Sequence, residues 1–209
     1  MDVFDGLLFD LDGTLWDSVD AICISWNRAL ERLAPEYAGT VTRARMLLPD
    51  ILHRLVPELD QERMKPILEE VLSEENAYVA AHGGVLYPEV EQTLAALSAR
   101  CPLFLVSNCQ DGYIEAFFQA HGLGRYFTDY ENPGRTGLPK ADNIALVAER
   151  NGLRRPLYIG DTQGDYDAAS KAGVPFLHAA YGFGRIDRPV PSVATFGDLP
   201  DAIRRLTPP

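Results

Sequence analysis

The segment Asp10-Leu11-Asp12-Gly13-Thr14 carries two carboxylates two residues apart at the end of a short apolar run. Side chains two apart on a strand share a face, which would set Asp10 and Asp12 about 6.6 Å apart along the chain, at about 3.3 Å per residue. Such a pair can divide the work of a nucleophile and of a general acid and base. An Asp-Gly turn bearing two solvated acids is the competing reading, and the segment alone does not separate the two. Other apolar runs end in the same style. Val106 leads into Ser107-Asn108, a hydroxyl with backbone N–H donors beside it, and Ile159 leads into Gly160-Asp161-Thr162-Gln163-Gly164-Asp165, which adds two more acids. Lys140 opens a helical pattern after Gly137-Leu138-Pro139, in a chain where only three of 19 basic residues are lysines. Four acids converging on one point repel: a like-charged pair at 4 Å costs about 4 kcal/mol at an effective dielectric of about 20. The cluster needs a cation, and an all-oxygen ligand set suits magnesium. With Ser107 and Lys140 added, the set makes a site for a tetrahedral oxyanion.

The elements that must position these residues read as alternating strands and helices. Val3 to Phe9, Pro102 to Val106, Pro156 to Ile159 and Val174 to Ala179 are short apolar runs of the kind a buried parallel strand shows. Helical patterns fall at Pro88 to Arg100, Gly112 to His121 and Ala141 to Asn151. A last strand, Ser192 to Phe196, leads into a helix capped by Asp198. This rhythm implies an α/β fold with a doubly wound, Rossmann-like parallel sheet. Ligands bind such sheets at the carboxyl ends of the strands, where the acids fall. From Asp17 to Ala81 the rhythm breaks into helical patterns only. We therefore expect a catalytic core of residues 1–16 and 83–209, with an all-helical cap inserted over 17–82 and hinged at Leu15-Trp16 and His82-Gly83-Gly84.

Composition narrows the partners. The hydrophobic fraction is 46% and the charged fraction 23%, so a core can form without disulfides or structural metals. A net charge of -11 argues against nucleic acid, which is held by lysine and arginine. It leaves room for a small anion, because a local cation cluster outweighs a distant screened field. The cysteines, Cys23, Cys101 and Cys109, are odd in number and form no paired motif, which suits a reducing compartment. The opening MDVFDGLLFDLDG is interrupted by acids and reads as no signal peptide, and no apolar stretch is long enough to span a bilayer. The expectation is a soluble cytoplasmic protein with no membrane or nucleic-acid partner; nothing in the chain speaks to its oligomeric state.

Taken in order, DLDGT, a helical insert, SN after a strand, a lone lysine and GDTQGD resemble the haloacid dehalogenase-like hydrolase superfamily over nearly the whole chain. The nearest resemblance is to its phosphoglycolate-phosphatase-like branch. That resemblance implies a Mg2+-dependent phosphatase acting on a small phosphorylated metabolite. Asp10 would attack phosphorus and form an aspartyl-phosphate. Asp12 would protonate the leaving oxygen, then activate water, and lend its carbonyl to the metal. Asp161 would be a direct metal ligand and Asp165 an outer ligand or an orienter. Ser107, Thr14 and backbone N–H groups near Gly13 and Asn108 would grip phosphoryl oxygens, and Lys140 would neutralise nucleophile and phosphoryl group. Asp10 must then stay ionised, by virtue of metal and Lys140, while Asp12 holds a proton. The chain departs from many relatives at one place: Pro139 precedes the lysine, and Ala-Asp-Asn follows it.

Other readings fare less well. No GxxxxGK[ST] loop is present, and Gly182-Phe183-Gly184 lacks the third glycine of a dinucleotide fingerprint. Dehalogenases lack an acid at the Asp12 position. A phosphonate hydrolase needs a cap lysine for a Schiff base, and Lys65 stands just before Pro66. A sugar phosphomutase of the same superfamily is the main alternative, and a non-catalytic phosphate binder would be expected to lose one of the four key residues. Arg43, Arg45 and Arg54 read as a solvated face, His53 and His82 as structural or solvated, and Trp16 as packing.

Overall fold

The computed structural model describes residues 4–46 and 61–206. His53 and Arg54, and with them residues 47–60 of the expected helical insert, lie outside them. The chain divides into two units.

The first unit comprises residues 1–17, 86–114 and 122–209. Its centre is a sheet of β1 (Gly6–Phe9), β4 (Leu103–Val106), β5 (Phe127–Glu131), β6 (Pro156–Gly160), β7 (Phe176–Ala179) and β8 (Ser192–Val193), in the order β5-β4-β1-β6-β7-β8. Every adjacent pair runs parallel. β1, β4 and β7 are buried along their whole length, as strands covered on both faces must be. On one face Leu8, Phe104, Val106 and Tyr158 pack against Ile144 and Val147 of α7 (Lys140–Arg150) and Ala168 and Ala169 of α8 (Gln163–Lys171). On the other, Phe9 meets Phe127 edge-on at 6.3 Å and Phe196 at 6.1 Å. α4 (Val90–Ser98) buries Val90, Leu94 and Leu97, and α9 (Leu199–Arg205) buries Leu199 and Ile203.

The order of strands leaves β1 with β4 on one side and β6 on the other, so the winding reverses at β1. Crevices at such reversals are where open parallel sheets bind ligands. The register pairs Phe9 with both Leu105 and Ile159, which brings the residues just beyond these strands to one level.

The second unit comprises residues 18–85 and 115–121. α1 (Val19–Leu33) packs Trp26, Ala29 and Leu30 against Val71 of α3 (Gln61–His82), with Ala34, Val41 and Met46 of the short α2 (Arg43–Met46) closing the cluster. Trp26 Nε1 donates to the buried Glu75 carboxylate. The chain leaves the first unit at β2 (Trp16–Asp17) and returns at β3 (Val85–Leu86).

Three local expectations need correction. β1 ends at Phe9, so Asp10 and Asp12 lie beyond the strand, Asp12 in an isolated bridge with Trp16 across the turn 13–15, and strand alternation does not set the spacing of the two acids. β5 was not expected; its sequence FTDYE is polar because it lies at the sheet edge, where one side of the strand is not covered. The last strand stops at Val193; Asp198 is the N-cap residue of α9 as expected, but its side chain serves the capping box of the 3-10 turn Phe196–Asp198 instead of the helix it precedes. Its carboxylate turns back to Thr195, accepting from N at 3.1 Å and Oγ1 at 2.8 Å.

Candidate active site

Asp10 follows β1 directly. Its N–H donates to the Ile159 carbonyl at 2.8 Å, which continues the ladder one residue past the strand and pins the side chain beside β6. Lys140, the first residue of α7, reaches back with its ammonium to Asp10 Oδ1 at 2.6 Å and to Asp165 Oδ1. All three side chains are buried: Asp10 is 5% exposed, Lys140 8% and Asp165 1%. Lys140 Nζ also stands 5.6 Å from the ring centre of Tyr158. The loop before it is held by partly buried polar pairs. Asn132 Oδ1 accepts from Arg135 N at 2.8 Å, Thr136 Oγ1 donates to Asn143 Oδ1 at 2.8 Å, and Asn143 Nδ2 donates to the Leu138 carbonyl at 3.0 Å. These bonds shape the Gly- and Pro-containing stretch that delivers Lys140.

Beyond β6, Asp161 and Asp165 have different surroundings. Asp165 Oδ2 accepts from Asp161 N at 3.2 Å, Thr162 N at 2.9 Å and Thr162 Oγ1 at 2.7 Å, forming a capping box at the start of α8. Asp161 Oδ2 accepts from Phe183 N at 2.7 Å, while Thr14 Oγ1 approaches Oδ1 at 3.5 Å. His178 Nε2 lies 3.2 Å from the Asp161 carbonyl. The loop carrying Phe183 comes this close because its flanks are glycines: a Cβ on Gly182 would overlap the Gly13 carbonyl and Asp161, and one on Gly184 would stand 2.7 Å from the Asp161 carbonyl oxygen. Gly13 itself has φ +81°, and a Cβ there would overlap the Asp161 carboxylate. The glycines read as a weak nucleotide fingerprint thus shape the acid cluster.

Asp10, Asp161 and Asp165 each present an oxygen within 4.8 Å of the others. Burial is the main force raising Asp10 well above the ordinary carboxylate range; Asp165 and Asp161 add to it, and Lys140 opposes it without prevailing. Asp161 is pushed up to about 7, chiefly by burial and then by Asp165, against the Phe183 N–H and Lys140. For Asp165 burial acts in the same direction, but Lys140 and the Thr162 donors outweigh it and hold the group low. Lys140 stays protonated, since Asp10 and Asp165 overcome its desolvation. Three buried carboxylates around one ammonium leave net negative charge, which is why protons are retained. Lys140 alone thus does not offset burial at Asp10, which is where the added cation expected from the sequence would act.

An oxygen-only, electronegative cluster of this kind fits Mg2+, which is commonly held by one or two carboxylates together with substrate oxygens. Asp10 and Asp161 would hold it. Asp165 has both oxygens engaged by Lys140, Thr162 and the Asp161 amide, which suits an orienting role.

Asp12 does not belong to this cluster. Its Oδ1 accepts from Trp16 Nε1 at 2.9 Å and from Tyr113 OH at 3.0 Å. The Gly13 N–H donates to the Trp16 carbonyl at 2.9 Å and so is engaged within its own turn. Ser107, 3% exposed, uses its N–H on the Glu131 carbonyl at 3.3 Å, and Asn108 beside it is exposed. Thr14 is fully buried, and its carbonyl accepts from Tyr181 OH at 2.8 Å. Trp16, weighed in the sequence between lining a pocket and packing, lies on Asp12; Tyr113 and Tyr181 carried no signal, and Phe183 stood out only through its flanking glycines. In the helical unit, Arg43 pairs at 3.4 Å with Asp20 on an exposed face, and His82 is exposed against the Tyr78 carbonyl at 2.9 Å.

The first unit thus combines a doubly wound parallel sheet with buried acids just past β1 and β6 and a buried lysine at the start of α7. The chain belongs to the haloacid dehalogenase-like hydrolase family, whose model matches residues 7–179. Within that family it is a phosphatase, a phosphoric monoester hydrolase. It is 30% identical over 210 residues to the phosphoglycolate phosphatase of Escherichia coli strain K12, covering 85% of this chain and 82% of that one. The crystal structure of a predicted phosphoglycolate phosphatase from Haemophilus somnus superposes with a TM-score of 0.80 at 23% identity, covering 97% of this chain and 99% of the other. CbbY from Rhodobacter sphaeroides, in complex with xylulose 1,5-bisphosphate, has a similar fold with a TM-score of 0.74 at 18% identity, covering 94% and 96%. No helix among the described residues is long and apolar enough to cross a membrane.

Proposed function

We propose that this phosphatase hydrolyses a small phosphorylated metabolite, of the phosphoglycolate type, through an aspartyl-phosphate on Asp10. The observation that carries the reading is the buried contact of Lys140 with both Asp10 and Asp165, beside Asp161. Asp10 attacks phosphorus, and the P–O bond to the leaving alcohol breaks as the new bond forms. Lys140 counters the charge of the nucleophile and of the transferring group. Asp12 donates a proton to the leaving oxygen, then removes one from the water that cleaves the acyl-phosphate. The Ser107 hydroxyl and the backbone beside Asn108 orient the phosphoryl oxygens, and the Thr14 hydroxyl steadies Asp161. Asp165 fixes Lys140 and the start of α8. Asp10, Asp161 and the Asp12 carbonyl would hold Mg2+, which when bound would supply positive charge beside the nucleophile and the phosphoryl oxygens. The insert of residues 17–82 serves as a cap that restricts substrates to small molecules; it is supported by a hydrophobic core of its own.

The test is phosphate release from a panel of small phosphate esters, phosphoglycolate included, with Mg2+ or with chelator, alongside a phosphoprotein. Release from one or more metabolites that requires Mg2+ and far exceeds release from the phosphoprotein is expected. Full activity with chelator removes the metal from the reading, and preference for the phosphoprotein removes the cap.

A further inference from the structure

Asp12 has to meet the leaving oxygen while a strong competitor, the Lys140 ammonium, draws carboxylates towards the neighbouring cluster. Its own turn supplies part of the restraint. Leu15 N donates to the Leu11 carbonyl at 2.8 Å and Gly13 N to the Trp16 carbonyl at 2.9 Å, which folds Trp16 back beside Asp12. The second restraint comes from 101 positions away. Tyr113, at the start of the helix Tyr113–His121, places its hydroxyl on the oxygen that the indole N–H already holds, Asp12 Oδ1. Both rings are buried, Trp16 at 0% and Tyr113 at 1% exposure, and they meet edge-on with centroids 6.0 Å apart. Neither ring can leave its place without opening the core.

We infer that Trp16 and Tyr113 are positioning residues that hold the Asp12 carboxylate by its Oδ1, apart from the Asp10–Asp161–Asp165 cluster. Two donors converging on one oxygen fix both side-chain torsions of an aspartate. A single donor would leave the carboxylate free to rotate about the bond to that oxygen. The inference rests on the acid–base role proposed for Asp12, and the experiment separates the two.

The experiment measures kcat/KM for an alkyl phosphate, which needs a proton on its leaving oxygen, and for an aryl phosphate, which scarcely does. Wild type, Tyr113→Phe, Asp12→Ala and the double variant are compared. Removing the hydroxyl should lower kcat/KM on the alkyl ester about 10-fold, within the roughly 100-fold that a 1 Å misplacement costs. The loss on the aryl ester should be clearly smaller, and melting should stay near wild type. The double variant should lose no more than Asp12→Ala alone, because Tyr113 acts through that carboxylate. Trp16→Phe, which removes the other donor, should show the same leaving-group pattern. Equal losses on both esters, no loss at all, or losses that multiply in the double variant overturn the inference. If Asp12→Ala itself loses equally on both esters, the acid–base role fails instead, and the double-variant comparison still decides whether Tyr113 acts through Asp12.

Discussion

Replacing Lys140 by methionine tests the electrostatic logic of the site apart from its chemistry. The side chain is nearly isosteric, so packing beside Tyr158 changes little, but the only ammonium among three buried carboxylates is gone. Removing one partner of a buried ion pair typically costs about 3–5 kcal/mol. A second route gives a similar figure. The cluster can escape the charge by binding one more proton, and neutralising a carboxylate of ordinary pKa near 3.9 at pH 7 costs about 4 kcal/mol at about 1.36 kcal/mol per unit. At roughly 2–4 °C per kcal/mol for a chain of this size, the metal-free variant should melt some 6–20 °C below wild type at pH 7. The sign with pH follows. The folded variant binds more protons than the unfolded chain between the ordinary and the raised values, so its stability falls as pH rises and recovers as pH drops, by about 1.4 kcal/mol per unit and proton. The assay is thermal unfolding by circular dichroism in chelator, at pH 7 and at pH 5.5. A deficit of less than about 2 °C at pH 7, or one that grows on acidification, would refute the claim that Lys140 compensates buried carboxylates.

Asp10→Asn should abolish phosphate release while the circular dichroism spectrum is kept, since an amide cannot attack phosphorus; turnover above a few percent of wild type excludes Asp10 as the nucleophile. Asp161→Asn should shift half-maximal activation to higher Mg2+, and Ca2+ should compete without supporting turnover, because it prefers more ligands and looser geometry; an unchanged Mg2+ titration would remove Asp161 from the metal set. Glu89 is the one non-glycine residue with positive φ among the described residues, at 65°, so Glu89→Gly should relieve about 1 kcal/mol of backbone strain and raise the melting temperature. A fall would show that its carboxylate packing on Gly197 matters more. Arg150→Met removes pairs with Asp129 at 2.6 Å and Glu131 at 2.5 Å, acids whose pKa values Arg150 helps hold down against burial. The partly exposed network should contribute about 1 kcal/mol at pH 7 and lose that contribution as pH falls through the carboxylate range, so wild-type and variant melting curves should converge near pH 3.

The parallel α/β class, the order of the motifs, and the gathering of Asp10, Asp161, Asp165 and Lys140 at one place were legible in the chain alone; the expected convergence of Asp12 with them is not what the structure shows. Buried parallel strands leave continuous apolar runs, and chemistry at their tips follows directly in the sequence. Lys140 could be singled out because lysine is so rare here. The edge strand Phe127–Glu131 was not legible, since a strand covered on one side lacks such a run. Nor was the division of labour among the acids. Asp10, Asp161 and Asp165 stand 151 and four residues apart in sequence, and only the winding of β6 beside β1 brings their oxygens within 4.8 Å. Asp12, two residues from Asp10, is drawn out of that cluster by an indole from its own turn and a phenol from a helix 101 positions on. Neighbourhood in the chain decides which groups are available, but hydrogen bonds are satisfied within about 3 Å. Which carboxylate meets which donor, and therefore which one carries charge, is decided by packing.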